Sequence, residues 1–246
     1  MMLYDFPLRP STLSERATFY KNEFSLLKLK KWLGNNVPQL CAIDAGSDTK
    51  IIKNKRFKGI NFYFPFSELK DKIKKYVPED VYYDRNIYID AEKRLSHLSD
   101  ITDLSDPNIL GQQLAFDIDA DNIPCSHPRN QDVCHICLGK AYDAATKMKK
   151  ELKKKFERVI LVYSGRGFHL HINDKSAYYL TPKQRHLLNK KFSKFPIDPW
   201  VSGGPKCLIR LPFSLNSLVS RVVTPISNKT KFTEKTGIPK FLKDNE

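Results

Sequence analysis

The segment 114–119, with the sequence LAFDID, limits what this chain can fold into more than any other stretch. Large apolar residues occupy every second position, and this period of two indicates a β-strand with one face in a core. Asp117 and Asp119 fall on the opposite face together with Ala115. The sequence therefore predicts a strand that carries two carboxylates side by side.

Two carboxylates this close repel each other unless a cation lies between them. Hard divalent cations prefer oxygen ligands, and phosphoryl-transfer sites hold two such ions roughly 3.5–4 Å apart. A pair of solvent-facing aspartates at a strand end would give the same sequence. The apolar neighbours favour a metal site, because a buried strand seldom exposes two acids without a purpose.

The remaining pattern predicts a mixed α/β (α+β) protein built around a small central β-sheet. Thr12 and Glu15 have capping-box spacing at the start of the first helix, and Gly34 can end that helix in a left-handed cap. Helices are expected over residues 12–34, 66–76, 138–156 and 182–194, and strands over 56–64, 79–90, 113–119, 158–163, 168–172 and 207–211. The length suits one domain over residues 1–229, followed by a polar tail over 230–246 that frays.

The chain is strongly basic, with 42 Lys and Arg residues against 27 Asp and Glu and a net charge of +15. Such a surplus usually faces a polyanion such as nucleic acid, although a basic surface that only keeps a protein soluble has the same composition. The lysines between 147 and 155 fit a phosphate-tracking surface or a solvated helix face equally. No stretch approaches the roughly 18 apolar residues of a membrane helix, and the N-terminus lacks a signal-peptide pattern, so we expect an intracellular protein.

Three of the five cysteines fall within 13 residues, beside two histidines. A CxH pair, six residues and a CxxC pair have the spacing of a zinc site, with Cys125, His127, Cys134 and Cys137 as the expected ligands. His135 could replace His127, but a residue inside a CxxC turn usually points away. Four protein ligands close a site, so this zinc would be structural. Free thiols in a reduced cytosol are the alternative.

The segment SGRGFH, residues 164–169, joins two expected strands. Glycine at such a turn lets the backbone approach a phosphate closely. Ser164 and His169 can donate hydrogen bonds, and Arg166 can grip phosphate oxygens in a fork. A hairpin turn whose Arg and His are merely exposed is the alternative.

Two later segments add charged groups. Asp198, in the sequence IDPWVS, offers a third carboxylate, and Arg210, in LIRLPFS, offers a cation on a short strand. Taken alone, both have the pattern of ordinary surface residues. Their interest depends on the order in which they follow the earlier motifs.

Taken in order, these segments resemble the small catalytic subunit of the archaeal and eukaryotic DNA primases. The similar elements are the strand LAFDID, a zinc cluster just after it, the loop SGRGFH, and the segments IDPWVS and LIRLPFS. Residues 56–59 and 78–83 also resemble the family, so the resemblance spans roughly residues 12–225. It implies a prim-type catalytic core over residues 1–229 that includes a zinc-binding motif at 125–137.

The resemblance also implies roles for individual residues. Asp117, Asp119 and Asp198 would hold two catalytic Mg²⁺ or Mn²⁺ ions, and the zinc cluster would be structural. The incoming nucleotide would be bound by loop residues and by basic side chains elsewhere: Ser164, Gly165, Arg166, His169, Arg210, Arg56 and Lys58.

The activity implied by the resemblance is synthesis of short RNA primers on single-stranded DNA from ribonucleoside triphosphates, with release of pyrophosphate. Members of this family work with a large iron–sulfur subunit, in the nucleoid of an archaeon or the nucleus of a eukaryote. A primase-polymerase of a mobile element or repair system that prefers deoxynucleotides is one alternative. A non-catalytic zinc-bearing nucleic-acid-binding module is another.

Three features depart from the family pattern. The loop has one basic residue, SGRG, where many relatives carry two adjacent arginines, so Lys206 is a candidate to share the phosphate. Asn216 stands where relatives often have a histidine. Only 28 residues separate His169 from Asp198, where relatives place a helical subdomain. We therefore expect a reduced version of the fold that lacks this helical insertion.

Overall fold

The structure is a computed structural model that describes residues 7–46, 62–95, 101–125, 133–227 and 231–243. Within these ranges the α-helices are α1 (Leu13–Asn22), α2 (Leu26–Leu33), α3 (Leu69–Tyr76), α4 (Glu92–Leu95), α5 (His135–Leu152), α6 (Lys175–Tyr178), α7 (Pro182–Phe192), α8 (Pro199–Gly203) and α9 (Lys240–Lys243). The strands are β1 (Leu40–Asp44), β2 (Phe62–Pro65), β3 (Asp80–Asp84), β4 (Asn86–Tyr88), β5 (Ile109–Gln112), β6 (Leu114–Asp119), β7 (Val159–Tyr163), β8 (Gly167–Ile172), β9 (Leu208–Arg210), β10 (Leu215–Asn216), β11 (Arg221–Val222) and β12 (Thr224–Ile226). None of the helices in the described ranges has the length and apolarity needed to cross a membrane.

The predicted mixed α/β fold is confirmed, and its central sheet consists of two four-stranded sheets. The first has the strand order β2-β1-β3-β9, and the second has the order β12-β7-β8-β6. All neighbouring strands in both sheets are antiparallel. Two small ribbons, β4-β5 and β10-β11, complete the described strands.

Strand β6 lies between two hydrophobic cores. Leu114, Phe116 and Ile118 are buried in the core beneath α5, which packs on β7 and β8. Ala115, on the other face of the strand, belongs to the core formed with the first sheet. The alternation predicted from the sequence is therefore confirmed, and it turns the aspartates of β6 toward the space between the two sheets.

The single helix predicted over residues 12–34 is wrong, because the chain forms two helices there. The capping box at Thr12 and Glu15 is confirmed at the start of α1. Ser25 then interrupts the helix and caps α2, since its hydroxyl accepts a hydrogen bond from the backbone N–H of Lys28 at 3.2 Å. Gly34 ends α2 with a positive φ of 55°, but its ψ of −120° lies outside the left-handed helical region.

Other elements differ from the prediction mainly at their ends. Helix α5 begins at His135 rather than 138, because Cys134 caps it, and the β-prone stretch 79–90 divides into β3 and β4 on either side of Arg85. The expected strand at 56–64 is described only from residue 62, as β2. In the segment expected to be a fraying tail, α9 forms instead, and Phe241 and Leu242 are buried in the core of the first sheet.

Candidate active site

Three aspartates converge at the exposed edge of the second sheet. Asp117 and Asp119 come from β6, which is the edge strand of that sheet in the described residues. An edge strand leaves backbone groups free to pair with another segment. The backbone N–H of Asp198 uses one of them and donates to the carbonyl of Asp117 at 2.9 Å. This bond places the third carboxylate beside the first two.

The carboxylates repel one another in a site with little solvent. Burial raises the pKa of the Asp117 carboxyl well above its usual range, and the nearby charges of Asp119 and Asp198 raise it further. Burial also raises the pKa of Asp119, with a second contribution from Asp121. Oδ1 of Asp117 is buried and has no hydrogen-bond partner among the described residues. Such an oxygen is a ready ligand for a cation.

Strand β8 places His169 directly opposite Asp117 in the sheet register. The Nε2 atom of His169 lies 3.5 Å from Oδ1 of Asp117. Burial lowers the pKa of His169 well below its ordinary value, and the charges of His171, Arg210 and Arg85 lower it further. The imidazole is therefore neutral at neutral pH and offers one N–H donor.

Two cations extend from the segment that follows Asp198. Nζ of Lys206 lies 3.6 Å from Oδ2 of Asp198. Arg210, on β9 of the first sheet, forms an ion pair with Asp80 on β3. Burial opposes the charge of Arg210, but Asp80 and Tyr82 outweigh it and raise its pKa. Both cations lower the pKa of Asp117 and Asp119, so they lie within electrostatic reach of the carboxylates.

The predicted phosphate loop is a tight turn between β7 and β8. The backbone N–H of Ser164 donates to the carbonyl of Gly167 at 2.9 Å. Gly165 has a φ of 97°, and a Cβ there would lie 2.9 Å from the amide nitrogen of Asn216. Asn216 itself donates from Nδ2 to the carbonyl of Ser164 at 2.9 Å. Asn216 therefore fixes the shape of the loop, a role that the sequence did not indicate.

Arg166, at the tip of this loop, pairs with Asp121, and its charge also acts on Asp119, whose pKa it lowers against the effect of burial. Its Nη2 atom lies 2.8 Å from Oδ2 of Asp121, an ion pair that is partly exposed to solvent. The sequence analysis missed Asp121 and also missed Asp80, the partner of Arg210. No local sequence pattern indicates either ion pair, because 45 residues separate Arg166 from Asp121 and 130 residues separate Arg210 from Asp80.

Three of the predicted zinc ligands come together beside the second sheet. The Sγ atoms of Cys125, Cys134 and Cys137 lie within 4.8 Å of one another. Burial opposes ionisation of Cys134, but hydrogen bonds from backbone N–H groups at the start of α5 and from neighbouring thiols outweigh it and lower its pKa. Burial raises the pKa of Cys137 to about 11, so the thiolate form that binds metals is favoured at Cys134 and not at Cys137. The close grouping of the three sulfur atoms is what fits a metal ion. His135, at the first position of α5, is not one of the grouped ligands in the described residues.

Three predicted site residues lie outside the described residues: Arg56, Lys58 and His127. The roles expected of them remain predictions. The fourth ligand of the cysteine trio is therefore also a prediction, while the trio itself is part of the structure.

Comparisons with known proteins cover family models, solved structures and relatives in sequence. No family model matches the chain. Among solved structures, the polymerase domain of Mycobacterium tuberculosis Ligase D, solved in complex with DNA, is similar with a TM-score of 0.48 and 12% identity. The similarity covers 87% of this chain and 79% of that one.

Several proteins are similar to this chain in sequence. An uncharacterized DNA primase small subunit-like protein of Archaeoglobus fulgidus is 37% identical over 247 residues, which covers 92% of this chain and 88% of the relative. The DNA primase small subunit PriS of Thermococcus onnurineus is 34% identical over 73% of this chain, and that of Pyrococcus abyssi is 31% identical over 78%. The chain spans about half the length of these two primase subunits, 49% and 52%. On this similarity, the chain belongs to the DNA primase small-subunit family.

Proposed function

We propose that this chain is the catalytic subunit of a DNA primase and joins nucleoside triphosphates on a single-stranded DNA template inside the cell, releasing pyrophosphate. The observation that carries the proposal is the meeting of Asp117, Asp119 and Asp198 in one partly buried place, where Lys206 and Arg210 offset only part of their mutual repulsion. Membership of the primase family supports the same reading.

The donor set fits two hard divalent cations, Mg²⁺ or Mn²⁺. All three side chains offer carboxylate oxygens, and the buried Oδ1 of Asp117 lacks a hydrogen-bond donor among the described residues. Asp117, Asp119 and Asp198 would hold the ions. When bound, such ions activate an attacking 3′-hydroxyl and neutralise charge on the triphosphate and the leaving pyrophosphate.

The other residues of the site orient the nucleotide. His169, neutral and buried, would donate its N–H to a phosphate oxygen. Arg166 would exchange its exposed pairing with Asp121 for a phosphate, because both are bound by the same fork of N–H groups. Arg210 is already held in place by Asp80 and would need little rearrangement to meet the triphosphate. The residue Lys206 would shift from Asp198 toward the phosphates once cations neutralise that carboxylate.

The cysteine trio would hold a structural zinc ion, with His127 as its fourth ligand. We also propose a large iron–sulfur subunit as the partner, as the family resemblance implies. Arg56 and Lys58 would line the nucleotide or template path. The basic surface would bind the template backbone, with an affinity that falls steeply as salt rises.

The first experiment is primer synthesis by the purified chain on single-stranded DNA with Mg²⁺ or Mn²⁺, comparing ribonucleotides with deoxynucleotides. We expect short ribonucleotide products from the wild type and none from Asp117→Asn. Asp143→Asn makes the same chemical change at an exposed site on α5 and serves as the matched control, with wild-type activity expected.

Three other outcomes would change the assignment. A clear preference for deoxynucleotides would favour the second candidate, a primase-polymerase of a repair system or mobile element. Activity retained in Asp117→Asn would refute the site. No extension of an annealed primer, even with a large subunit added, would favour a non-catalytic nucleic-acid-binding module.

A further inference from the structure

The segment 198–206, here called the Asp198 loop, carries both a carboxylate and a cation of the proposed site. It contains α8, which has only five residues. A helix this short has no stability of its own and depends on outside contacts. The loop is closed by a hydrogen bond from the backbone N–H of Lys206 to the carbonyl of Trp200 at 3.0 Å. The hydrogen bond from the backbone N–H of Asp198 to the carbonyl of Asp117 holds one end of the loop against β6, and the rest of the loop depends on other residues.

Arg85, between β3 and β4, supplies these contacts. Its side chain is inside the protein, with the residue only 2% exposed. Nη1 donates to the carbonyl of Gln113 at 2.7 Å, directly before β6. Nη2 donates to the carbonyl of Val201 at 2.8 Å and also to that of Lys206. One guanidinium thus joins the start of β6 to both halves of the Asp198 loop.

The backbone of Arg85 reinforces the same junction. Its N–H donates to the carbonyl of Cys207 at 3.0 Å, and its own carbonyl accepts from the N–H of Gln113 at 2.9 Å. A neighbouring side chain adds a further tether, since Nε2 of Gln112 donates to the carbonyl of Gly204 at 2.9 Å. The Asp198 loop is therefore held by side chains that do not belong to the proposed site.

Burial of the charged Arg85 side chain is energetically unfavourable. Among the described residues no carboxylate forms a salt bridge with it, and its Nε atom has no hydrogen-bond partner. Burying a cation without a paired anion is strongly unfavourable. A planar fork that reaches three carbonyls in different segments is what arginine offers and lysine does not. We therefore infer that arginine is needed at residue 85 for the directions of its hydrogen bonds, and not only to fill the interior.

We propose that Arg85 is a positioning residue that fixes the Asp198 loop against β6 and thereby sets the place of the third metal-binding carboxylate. This inference rests on the proposed function of the three aspartates. It adds that the ligand set is correctly spaced only while Arg85 bridges Gln113, Val201 and Lys206.

Arg185 provides a matched control. It is also completely buried, and it also donates to backbone carbonyls, those of Gln112 at 2.5 Å and Leu180 at 3.3 Å. Neither acceptor lies in the Asp198 loop. Arg85→Lys and Arg185→Lys therefore remove similar buried forks, but only the first removes hydrogen bonds to carbonyls of the Asp198 loop. Arg185 bonds the backbone of Gln112, whose side-chain tether to Gly204 stays in place in Arg185→Lys.

The test is Mn²⁺ binding by the full chain without nucleotide, followed by electron paramagnetic resonance of the free ion, with Asp117→Asn defining the signal of this site. We expect Arg85→Lys to weaken this binding by about tenfold or more, the usual effect of losing a residue that orients metal ligands. Arg185→Lys keeps wild-type affinity. In primer extension, Arg85→Lys raises the Mn²⁺ concentration for half-maximal rate, and saturating Mn²⁺ restores most of kcat because the ligands are intact.

Wild-type Mn²⁺ affinity in Arg85→Lys would overturn the inference and leave the proposed function standing. Equal weakening in Arg185→Lys would also overturn it, because the effect would then be general destabilisation. If Arg85→Lys does not fold, Gln112→Leu keeps Arg85 and removes the hydrogen bonds from Nε2 of Gln112 to Gly204 and to Asn86. Unchanged affinity there overturns the inference that side chains outside the site hold the Asp198 loop. If Mn²⁺ binding by the wild type does not depend on Asp117, the proposed site itself fails, and the inference fails with it.

Discussion

Gly167 begins β8 directly opposite Asp119, and replacing it with alanine tests how tightly the two carboxylates of β6 are held. Its φ lies outside the positive range that favours glycine, so the backbone itself accepts a side chain. The obstacle is space. A Cβ at Gly167 would lie 2.2 Å from the carbonyl oxygen of Ile118 and 2.8 Å from Cα of Asp119.

The size of the effect follows from these distances. An ordinary contact of a Cβ begins at 3.4 Å, so the carbonyl of Ile118 must retreat by roughly 1 Å. This carbonyl lies between Asp117 and Asp119 in the chain, so both carboxylates move with it. Overpacking of this kind costs about 1–3 kcal/mol, which corresponds to a fall in Tm of about 2–12 °C for a chain of this size. A displacement of about 1 Å in a catalytic group lowers the rate by roughly 100-fold.

The assay is primer extension beside thermal unfolding, with Gly139→Ala as the control. Gly139 lies in α5, and a Cβ there meets no atom within 4 Å. Alanine in a helix is about 0.5–1 kcal/mol more favourable than glycine, so this variant keeps its activity and melts at the same or a higher temperature. If Gly167→Ala matched Gly139→Ala in both rate and Tm, the close packing of β8 against the carboxylates would be refuted.

Three further outcomes are expected. The pKa of Asp117 is raised in the folded state, so its contribution to stability is present at low pH and lost as pH rises. Asp117→Asn without divalent cations therefore melts at a higher temperature than wild type at pH 7, and the difference in Tm closes toward about pH 4. A lower Tm for the variant at pH 7 would contradict this. Replacing Cys134 and Cys137 with serine removes bound zinc and lowers the Tm, and unchanged metal content would exclude the zinc site. Hydrogen bonding to Arg9 lowers the pKa of Glu15 to about 2. Glu15→Gln therefore lowers the free energy of unfolding by about 1 kcal/mol at neutral pH after solvent screening, and this difference disappears as pH falls from 4.5 to about 2. A difference in Tm that does not depend on pH would contradict the ion pair.

Local sequence patterns predicted most features that are set within a single helix or strand. Alternation along β6 predicted the shared face of Asp117 and Asp119, and the helix expected over residues 138–156 corresponds to α5. Both signals are local, because the side chains of a strand or helix repeat with a fixed period. The break between α1 and α2 was missed because Ser25 can continue a helix or cap a new one, and only tertiary contacts decide between them.

Contacts between distant segments could not be predicted in this way. No periodicity brings Arg210 to Asp80, or Arg85 to the carbonyls of Val201 and Lys206. Backbone carbonyls are identical in every residue, so the acceptors of Arg85 leave no trace in the sequence.

Asn216 illustrates the same limit in another form. The sequence analysis noted Asn216 only as a departure from the family pattern. In the structure its amide donates to the carbonyl of Ser164 and shapes the turn between β7 and β8.

Asp198 combines a structural and a chemical role, and two substitutions separate them. Its Oδ1 accepts a hydrogen bond from the backbone N–H of Trp200 at 2.8 Å, which makes it the N-cap of α8. Asparagine caps helices as well as aspartate does, whereas alanine costs about 0.5–2 kcal/mol. We therefore expect Asp198→Asn to keep the wild-type Tm and to lose primer extension, since an amide does not replace a carboxylate on a divalent cation.

Asp198→Ala loses both, with a Tm lower by about 1–8 °C. Thermal unfolding and primer extension of the two variants, measured side by side, decide the matter. If Asp198→Asn lowered the Tm as much as Asp198→Ala, the negative charge would hold the loop through Lys206, which lies 3.6 Å away, and the cap would be secondary. The third carboxylate would then be ordered by the cation beside it, rather than by the start of its own helix.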